Sequence, residues 1–317
     1  MSPCIALTGA SGYIGKSLVK RLLDDSRPIR ALLRRPDARL PAGVESRILP
    51  SFAEENLTDA LEGVESLIHL AGRAHVFHEH DANAEKSYFS ANTELTLALA
   101  RAAVSAGVRR FVFMSTVKVY GNLRGGVLSE DVPALPDDAY GRSKLEAERG
   151  LIKLAGSSGL AFTILRSPLV YGPGCTGNVR RLSRLLARGV PLPLGAVQNR
   201  RSMIGIRNLT DILSRVASDE RAKNKTFLIS DGLPISTVDM ICSLSEGLGV
   251  RPWLISFPPR LLQVLGGAAG FGEEIKRLCG SLEVDAKKLV DQLTWVPQTS
   301  THEGLVETGR SFRLGTD

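Results

Sequence analysis

With 317 residues, 43% of them hydrophobic and 23% charged, the chain has the composition of a folded globular protein and the length for one large or two coupled domains. Its formal charge of +7 suits an acidic partner, but the lysines and arginines are scattered and never form a dense run interleaved with aromatics, which argues against nucleic-acid binding. Cys4, Cys175, Cys242 and Cys279 lie far apart, with no CxxC and no histidine at metal-ligand spacing; neither a metal site nor a disulfide framework is expected, and reduced thiols in the cytoplasm are.

The first expected strand, CIALTGA at 4–10, follows Met1 without a charged leader and apolar core, so no signal peptide is expected. It runs into TGASGYIG, where Gly9, Gly12 and Gly15 stand at G-x-x-G-x-x-G spacing before a helix over 13–24. That order of strand, glycine turn and helix brings backbone N–H groups close to a pyrophosphate, so Gly9, Ser11, Gly12, Tyr13, Ile14 and Gly15 are expected to hold a dinucleotide.

The second strand, 29–34, ends in LLRRP. An NAD-selective unit usually closes this strand with an acid that takes the adenosine ribose hydroxyls, and here Arg34 and Arg35 stand in its place. A carboxylate would repel a 2′-phosphate whereas a guanidinium pairs with it, so NADPH or NADP is favoured and NAD remains possible. After a helix at 55–62, the strand SLIHLAG at 66–72 ends in Leu70, Ala71 and Gly72, small enough at the carboxyl edge for a cofactor to lie against the backbone.

A helix over 87–106 leads to the strand RFVFMST at 110–116, whose last residues, Ser115 and Thr116, offer hydroxyls at the sheet edge. The next helix, 140–156, carries Tyr140 and Lys144 four apart on one face. An ammonium beside a phenol favours the phenolate and eases proton exchange, the chemistry of a proton donor in carbonyl reduction. A strand at 162–168 completes an alternation that predicts an α/β chain with a Rossmann-type doubly wound parallel sheet over 1–168. Beyond Pro168 the pattern shifts to VYGPG, RRLSRLLARG and GVPLPLG. A smaller, interleaved substrate lobe is expected over 169–317, with TFLISDG at 226–232 returning to the main sheet. The apolar stretch LLQVLGGAAGFG at 261–272 is too short and glycine-rich to span a bilayer, so no membrane-inserted segment is expected.

Nearly end to end, through TGASGYIG, HLAG, the Asn92 of SANTELTLALA, STVKVYG, YGRSK, RSPLVYGPG, NRRSMIGIRNLTD and RLCGSLEVDAKKL, the chain resembles the extended short-chain dehydrogenase/reductases. The likeness is to the NAD-dependent epimerase/dehydratase family, in the branch of nucleotide-sugar epimerases, dehydratases and 4-ketoreductases. Counted back from Val119-Tyr120-Gly121, the resemblance implies Thr116, Tyr140 and Lys144 as the catalytic set, with Lys144 also holding the nicotinamide ribose. It puts Asn178, Arg201 and Arg277 at substrate positions, where guanidinium groups suit the diphosphate of a UDP-sugar. It also implies a homodimer formed by the helices at 87–106 and 140–156. LPSFAEEN at 49–56 lacks the acid that relatives often use for adenine, leaving Ser51 as a substitute or a less specific hold.

HLAGRAHV, GVPLPLGAVQNRRS, FLISDG and RLCGSLEVD liken the chain to a subgroup of 4-ketoreductases and UDP-N-acetylglucosamine 4-epimerases. The expectation is NADPH-dependent reduction of a UDP-linked 2-acetamido-2,6-dideoxy-4-hexulose, giving UDP-N-acetylquinovosamine or UDP-N-acetylfucosamine for bacterial surface polysaccharide. A 4-epimerase of UDP-hexose or UDP-N-acetylhexosamine with bound NAD is the alternative, and a non-catalytic dinucleotide sensor the lesser one.

Overall fold

The computed structural model describes residues 3–52, 54–74, 82–121, 126–268 and 272–315. The main strands are β1 (Cys4–Thr8), β2 (Ile29–Leu33), β3 (Val44–Ile48), β4 (Val64–His69), β5 (Arg110–Thr116), β7 (Ala161–Ser167) and β10 (Lys225–Leu228). Two short pairs lie outside this sheet, β6 (Val127–Leu128) with β11 (Glu283–Val284), and β8 (Leu169–Tyr171) with β9 (Met203–Gly205). The helices are α1 (Tyr13–Asp24), α2 (Glu54–Ala60), α3 (Ala82–Tyr88), α4 (Leu95–Ser105), α5 (Ala139–Ser158) and α6 (Asn178–Ala187). They continue as α7 (Ile206–Val216), α8 (Thr237–Leu248), α9 (Pro259–Ala268), α10 (Gly272–Cys279), α11 (Lys287–Leu293) and α12 (Thr301–Arg313).

The seven main strands form one sheet in the order β3-β2-β1-β4-β5-β7-β10, with every pairing parallel. The order reverses direction between β1 and β4, which makes the carboxyl ends of those two strands the natural place for a ligand. Parallel strands are covered on both faces and so need continuous apolar runs, and β5, RFVFMST, is buried at every residue. On one face Leu18, Val19 and Leu22 of α1 pack with Leu209, Ile212 and Leu213 of α7. On the other, α2, α4 and α5 supply Leu57, Leu99 and Leu151. Each such fully buried leucine stabilises the fold by about 2 kcal/mol.

β10 pairs with β7 from Lys225↔Thr163 to Leu228↔Arg166. The chain then leaves the sheet, because Asp231 N–H donates to the Met203 carbonyl and draws it toward β9. A third core, built on Val179, Leu182, Ile241, Leu244 and Leu305, joins α6, α8 and α12. No helix among the described residues is long and apolar enough to cross a membrane.

Three sequence expectations need correction. The strand expected at 66–72 stops at His69, since Leu70 to Gly72 turn to meet the glycine loop. The single helix expected over 87–106 is α3 and α4 joined through a π-helical stretch, Phe89–Glu94. β3 was not expected at all; VESRI sits at the sheet edge, mostly exposed, and has no apolar run to announce it.

Candidate active site

The glycine loop closes directly onto the end of β4. Gly9 has φ +74°, and a Cβ there would lie 2.8 Å from the Ala71 nitrogen and 2.9 Å from the Leu70 carbonyl carbon. At Gly15 a Cβ would stand 2.0 Å from the Gly9 carbonyl oxygen, so α1 reaches this close only as glycine. α1 then starts from Gly12 with no side-chain cap and no acid in its first turn. Its first N–H groups and positive dipole end remain available to an anion. Ser11 is exposed, Ile14 is half-buried, and Tyr13 turns its hydroxyl toward Gly172 beyond β8.

Beneath the loop runs a buried polar lattice whose proton positions follow from its partners. Thr96 Oγ1 donates to the Asn92 carbonyl at 2.5 Å, so it accepts from His69 Nε2 at 3.0 Å. His69 Nδ1 is then an acceptor and takes the Thr8 hydroxyl at 2.6 Å, while Thr8 Oγ1 accepts the Ala71 N–H at 3.2 Å. Burial, reinforced by the charge on Lys144, lowers the His69 pKa to about 3 and keeps the ring neutral.

Asn92 extends the lattice across the site. Its Oδ1 accepts from Arg73 N at 2.8 Å, and its Nδ2 donates to the Arg73 carbonyl and, at 2.9 Å, to Ser143 Oγ. Ser143 Oγ in turn donates to the Tyr140 carbonyl at 2.8 Å. One side chain thereby ties the end of β4 to α5, the helix that carries Tyr140 and Lys144. The π turn aims it there, and such turns recur where a helix must present a side chain off its regular face. In the sequence Asn92 belonged to a motif but not to the expected site; a lone amide in the helical stretch SANTELTLALA was the available signal.

Thr116, Tyr140 and Lys144 come together at the carboxyl edge of β5. α5 is started by Asp138, whose carboxylate accepts the Gly141 N–H at 2.6 Å, so Tyr140 lies in the first turn and Lys144 one turn on. The half-buried Tyr140 is hydrogen bonded to the Thr116 side chain, and burial outweighs that bond and pushes its pKa up to about 12. Lys144 Nζ donates to the Met114 carbonyl at 2.9 Å and lies 4.4 Å from the centre of the Phe113 ring. Its burial lowers the pKa to about 8, against the opposing pull of Glu148. A Cβ on Gly72 would meet this amine at 3.4 Å and Asn92 Oδ1 at 2.9 Å.

Ser115, the neighbouring candidate hydroxyl, points elsewhere. Successive strand residues face opposite sides, and Ser115 Oγ donates to Glu148 Oε1 at 2.5 Å. Glu148 is buried and pairs with Arg166, whose Nη2 stands 2.6 Å from Oε2 and whose Nη1 donates to Tyr120 at 2.6 Å. The strand alternation therefore selects Thr116.

Arg34 and Arg35 follow β2 immediately, exposed, with no hydrogen bond or ion pair among the described residues. Ser51 is likewise exposed. In the other half of the molecule, Arg201 bridges to Ile235 and Leu282 and donates from Nη1 to the Gly280 carbonyl at 3.0 Å, just past α10. Arg277 lies on α10, with its side chain outside the described residues. Asn178 is the exposed first residue of α6, and no hydrogen bond joins it to Arg201. Buried Asn199, the first residue of the NRRSMIGIRNLTD motif but not among the expected site residues, binds the carbonyls of Leu278 and Gly280 at 3.0 and 2.9 Å and anchors the end of α10.

The family model described as the NAD dependent epimerase/dehydratase family matches residues 5–230. A UDP-glucose 4-epimerase of Vibrio cholerae is 34% identical over 315 residues, covering 98% of this chain and 96% of that protein. A dTDP-glucose 4,6-dehydratase of Streptomyces griseus is 26% identical, covering 97% of this chain and 93% of its own. Among solved structures, MoeE5 in complex with UDP-glucose and NAD superposes with a TM-score of 0.79 at 28% identity, covering 99% of both chains.

Proposed function

The chain belongs to the NAD-dependent epimerase/dehydratase family, and on that premise we propose that it carries out hydride transfer at C4 of a UDP-linked hexose through Thr116, Tyr140 and Lys144. The observation that carries this reading is the Tyr140 phenol, hydrogen bonded to Thr116 at the sheet edge, kept neutral by burial, with Lys144 one turn along. The residues present fit a dinucleotide. Gly9 and Gly15 leave space that a Cβ would fill, and Arg34 and Arg35 offer unpaired cations at the end of β2.

The glycine loop and the start of α1 would hold the diphosphate, Leu70, Ala71 and Gly72 would line the cofactor's bed, and Lys144 would hold the nicotinamide ribose. When bound in its reduced form, the dinucleotide supplies the hydride. Tyr140 holds a proton for the sugar oxygen, and Thr116 orients that oxygen by a hydrogen bond. Lys144 lowers the cost of the negative charge left on Tyr140 as the proton departs. Arg201 and Arg277 pair with the substrate diphosphate, and Asn178 approaches from α6. α4 and α5 form the contact of a homodimer, which light scattering at micromolar concentration would report as twice the chain mass.

Net reduction with NADPH is the reading we favour, with a UDP-2-acetamido-2,6-dideoxy-4-hexulose as substrate. Arg34 and Arg35 support it, because a reductase consumes external hydride and can draw it from NADPH. The second reading, a 4-epimerase with retained NAD, is supported by the Vibrio cholerae relative and by the NAD complex of MoeE5. Mixing the protein with NADPH and the 4-keto sugar separates the two. A reductase consumes NADPH in proportion to product, whereas an epimerase interconverts UDP-glucose and UDP-galactose with no added cofactor. Turnover in either assay removes the non-catalytic sensor.

A further inference from the structure

Away from the catalytic edge, one stretch of surface combines large exposed apolar side chains with unpaired cations. The segment 190–195 pairs with 253–255: Leu192 N–H donates to the Trp253 carbonyl, Ile255 N–H to the Leu192 carbonyl and Gly195 N–H to the Ile255 carbonyl, at 2.8, 2.9 and 3.0 Å. This pairing turns Leu254 inward against the third core and leaves Trp253 61% and Ile255 42% exposed. α9 follows within a few residues. Its inner side is set by Leu262, packed on the same core, and by Gly266, where a Cβ would meet Ile275 of α10 at 1.9 Å. Leu261, Val264 and Leu265 then face outward, exposed by 48, 68 and 53%.

The two paired stretches and α9 carry charges of one sign, whereas α10, on which α9 packs, holds Glu273 and Glu274 beside Lys276 and Arg277. The stretches 178–199 and 251–268 together hold six arginines, Arg180, Arg181, Arg184, Arg188, Arg251 and Arg260, and no acidic residue. Arg184, Arg188, Arg251 and Arg260 are exposed and make no ion pair or side-chain hydrogen bond among the described residues. A tryptophan, an outward apolar helix stripe and free arginines are what an interfacial element needs: the apolar groups enter the headgroup boundary and the guanidiniums meet anionic lipid.

We propose that α9 and the Trp253–Ile255 segment form a docking surface for an anionic lipid bilayer, which the protein binds peripherally. The complementarity of four unpaired cations around an apolar patch selects a bilayer over a second copy of this chain, because a twofold contact through this face would oppose arginine to arginine. Docking here would bring α10 and Arg201 close to the membrane surface, since α9 packs on α10 and Arg201 bonds to the Gly280 carbonyl just beyond it. The proposal stands apart from the direction of the hydride transfer.

The test is co-sedimentation of the full chain with vesicles of phosphatidylethanolamine and phosphatidylglycerol, and with vesicles of phosphatidylcholine alone. Binding is expected to the anionic vesicles only, weakening as salt rises toward 0.5 M. Val264→Glu with Leu265→Glu should reduce it by about tenfold or more, and Arg188→Gln with Arg251→Gln by on the order of tenfold. All these positions are exposed, and an unchanged melting temperature of each variant shows that it is folded. Absence of binding to anionic vesicles, or binding that both double variants retain in full, overturns the proposal. So does a self-association that Val264→Glu with Leu265→Glu abolishes without any vesicle binding.

Discussion

The lattice under the catalytic edge and the loop after β2 both border the same expected dinucleotide site, yet they are built in opposite ways. In the lattice, Thr8, His69, Thr96, Asn92 and Ser143 satisfy one another so completely that each proton has one place to be. After β2, Arg34 and Arg35 stand in solvent with no partner among the described residues. A closed network fixes geometry, because moving one member leaves a buried polar group unpaired at a cost of about 1–3 kcal/mol. Unpaired charges fix nothing by themselves and wait for a ligand. On the proposed function, the lattice would hold the reacting groups in place and the loop would choose the cofactor.

That contrast can be broken at either end. The largest effect is expected at the proposed proton donor: Tyr140→Phe should lower turnover by about two to four orders of magnitude while leaving cofactor affinity within a fewfold, as measured by steady-state kinetics and fluorescence titration. Gly15→Ala should abolish cofactor binding in the same titration, because the new methyl group would overlap the Gly9 carbonyl. A variant that still bound would show that the turn can open.

Lys144 gives a pH signature. Its folded-state pKa, about 8, is below the usual 10.5, so between those values the unfolded chain holds the extra proton and the folded chain gains stability as pH rises. Against Lys144→Met, which has no such group, the wild type should gain on the order of 2 kcal/mol between pH 8 and 10 in urea unfolding. A constant difference would mean that Lys144 keeps its charge in the fold. His69 acts at the acid end: its pKa of about 3 lies below the usual 6.5, so the neutral ring's contribution is present above 6.5 and is lost as pH falls toward 3. His69→Gln should flatten the acid limb of the same stability curve. Smallest is the open loop, where Arg34→Asp with Arg35→Ala should shift the NADPH-to-NADH ratio of kcat/KM by about tenfold or more toward NADH with little change in stability.

Where one physical signal dominates, the sequence is easy to read. β5 and α1 have the expected bounds because one is centred on the apolar run FVFM and the other is an amphipathic helix opened by glycine. Thr116, Tyr140 and Lys144 were legible from spacing and resemblance, and strand alternation then separated Thr116 from Ser115. The rest depended on tertiary contacts. β3 is an edge strand with four exposed residues, the π turn that aims Asn92 has no local pattern of its own, and Asn199 matters only because the end of α10 folds back onto it. Arg34 and Arg35 could be located from sequence, but their lack of partners is a fact of the fold.

The most direct measurement follows NADPH absorbance and product NMR together, with wild-type protein and UDP-2-acetamido-2,6-dideoxy-4-hexulose. The account predicts that one NADPH is oxidised for each 4-keto sugar converted to the 4-hydroxy sugar. No consumption of NADPH with this sugar, together with interconversion of gluco and galacto UDP-sugars on retained NAD, would contradict it.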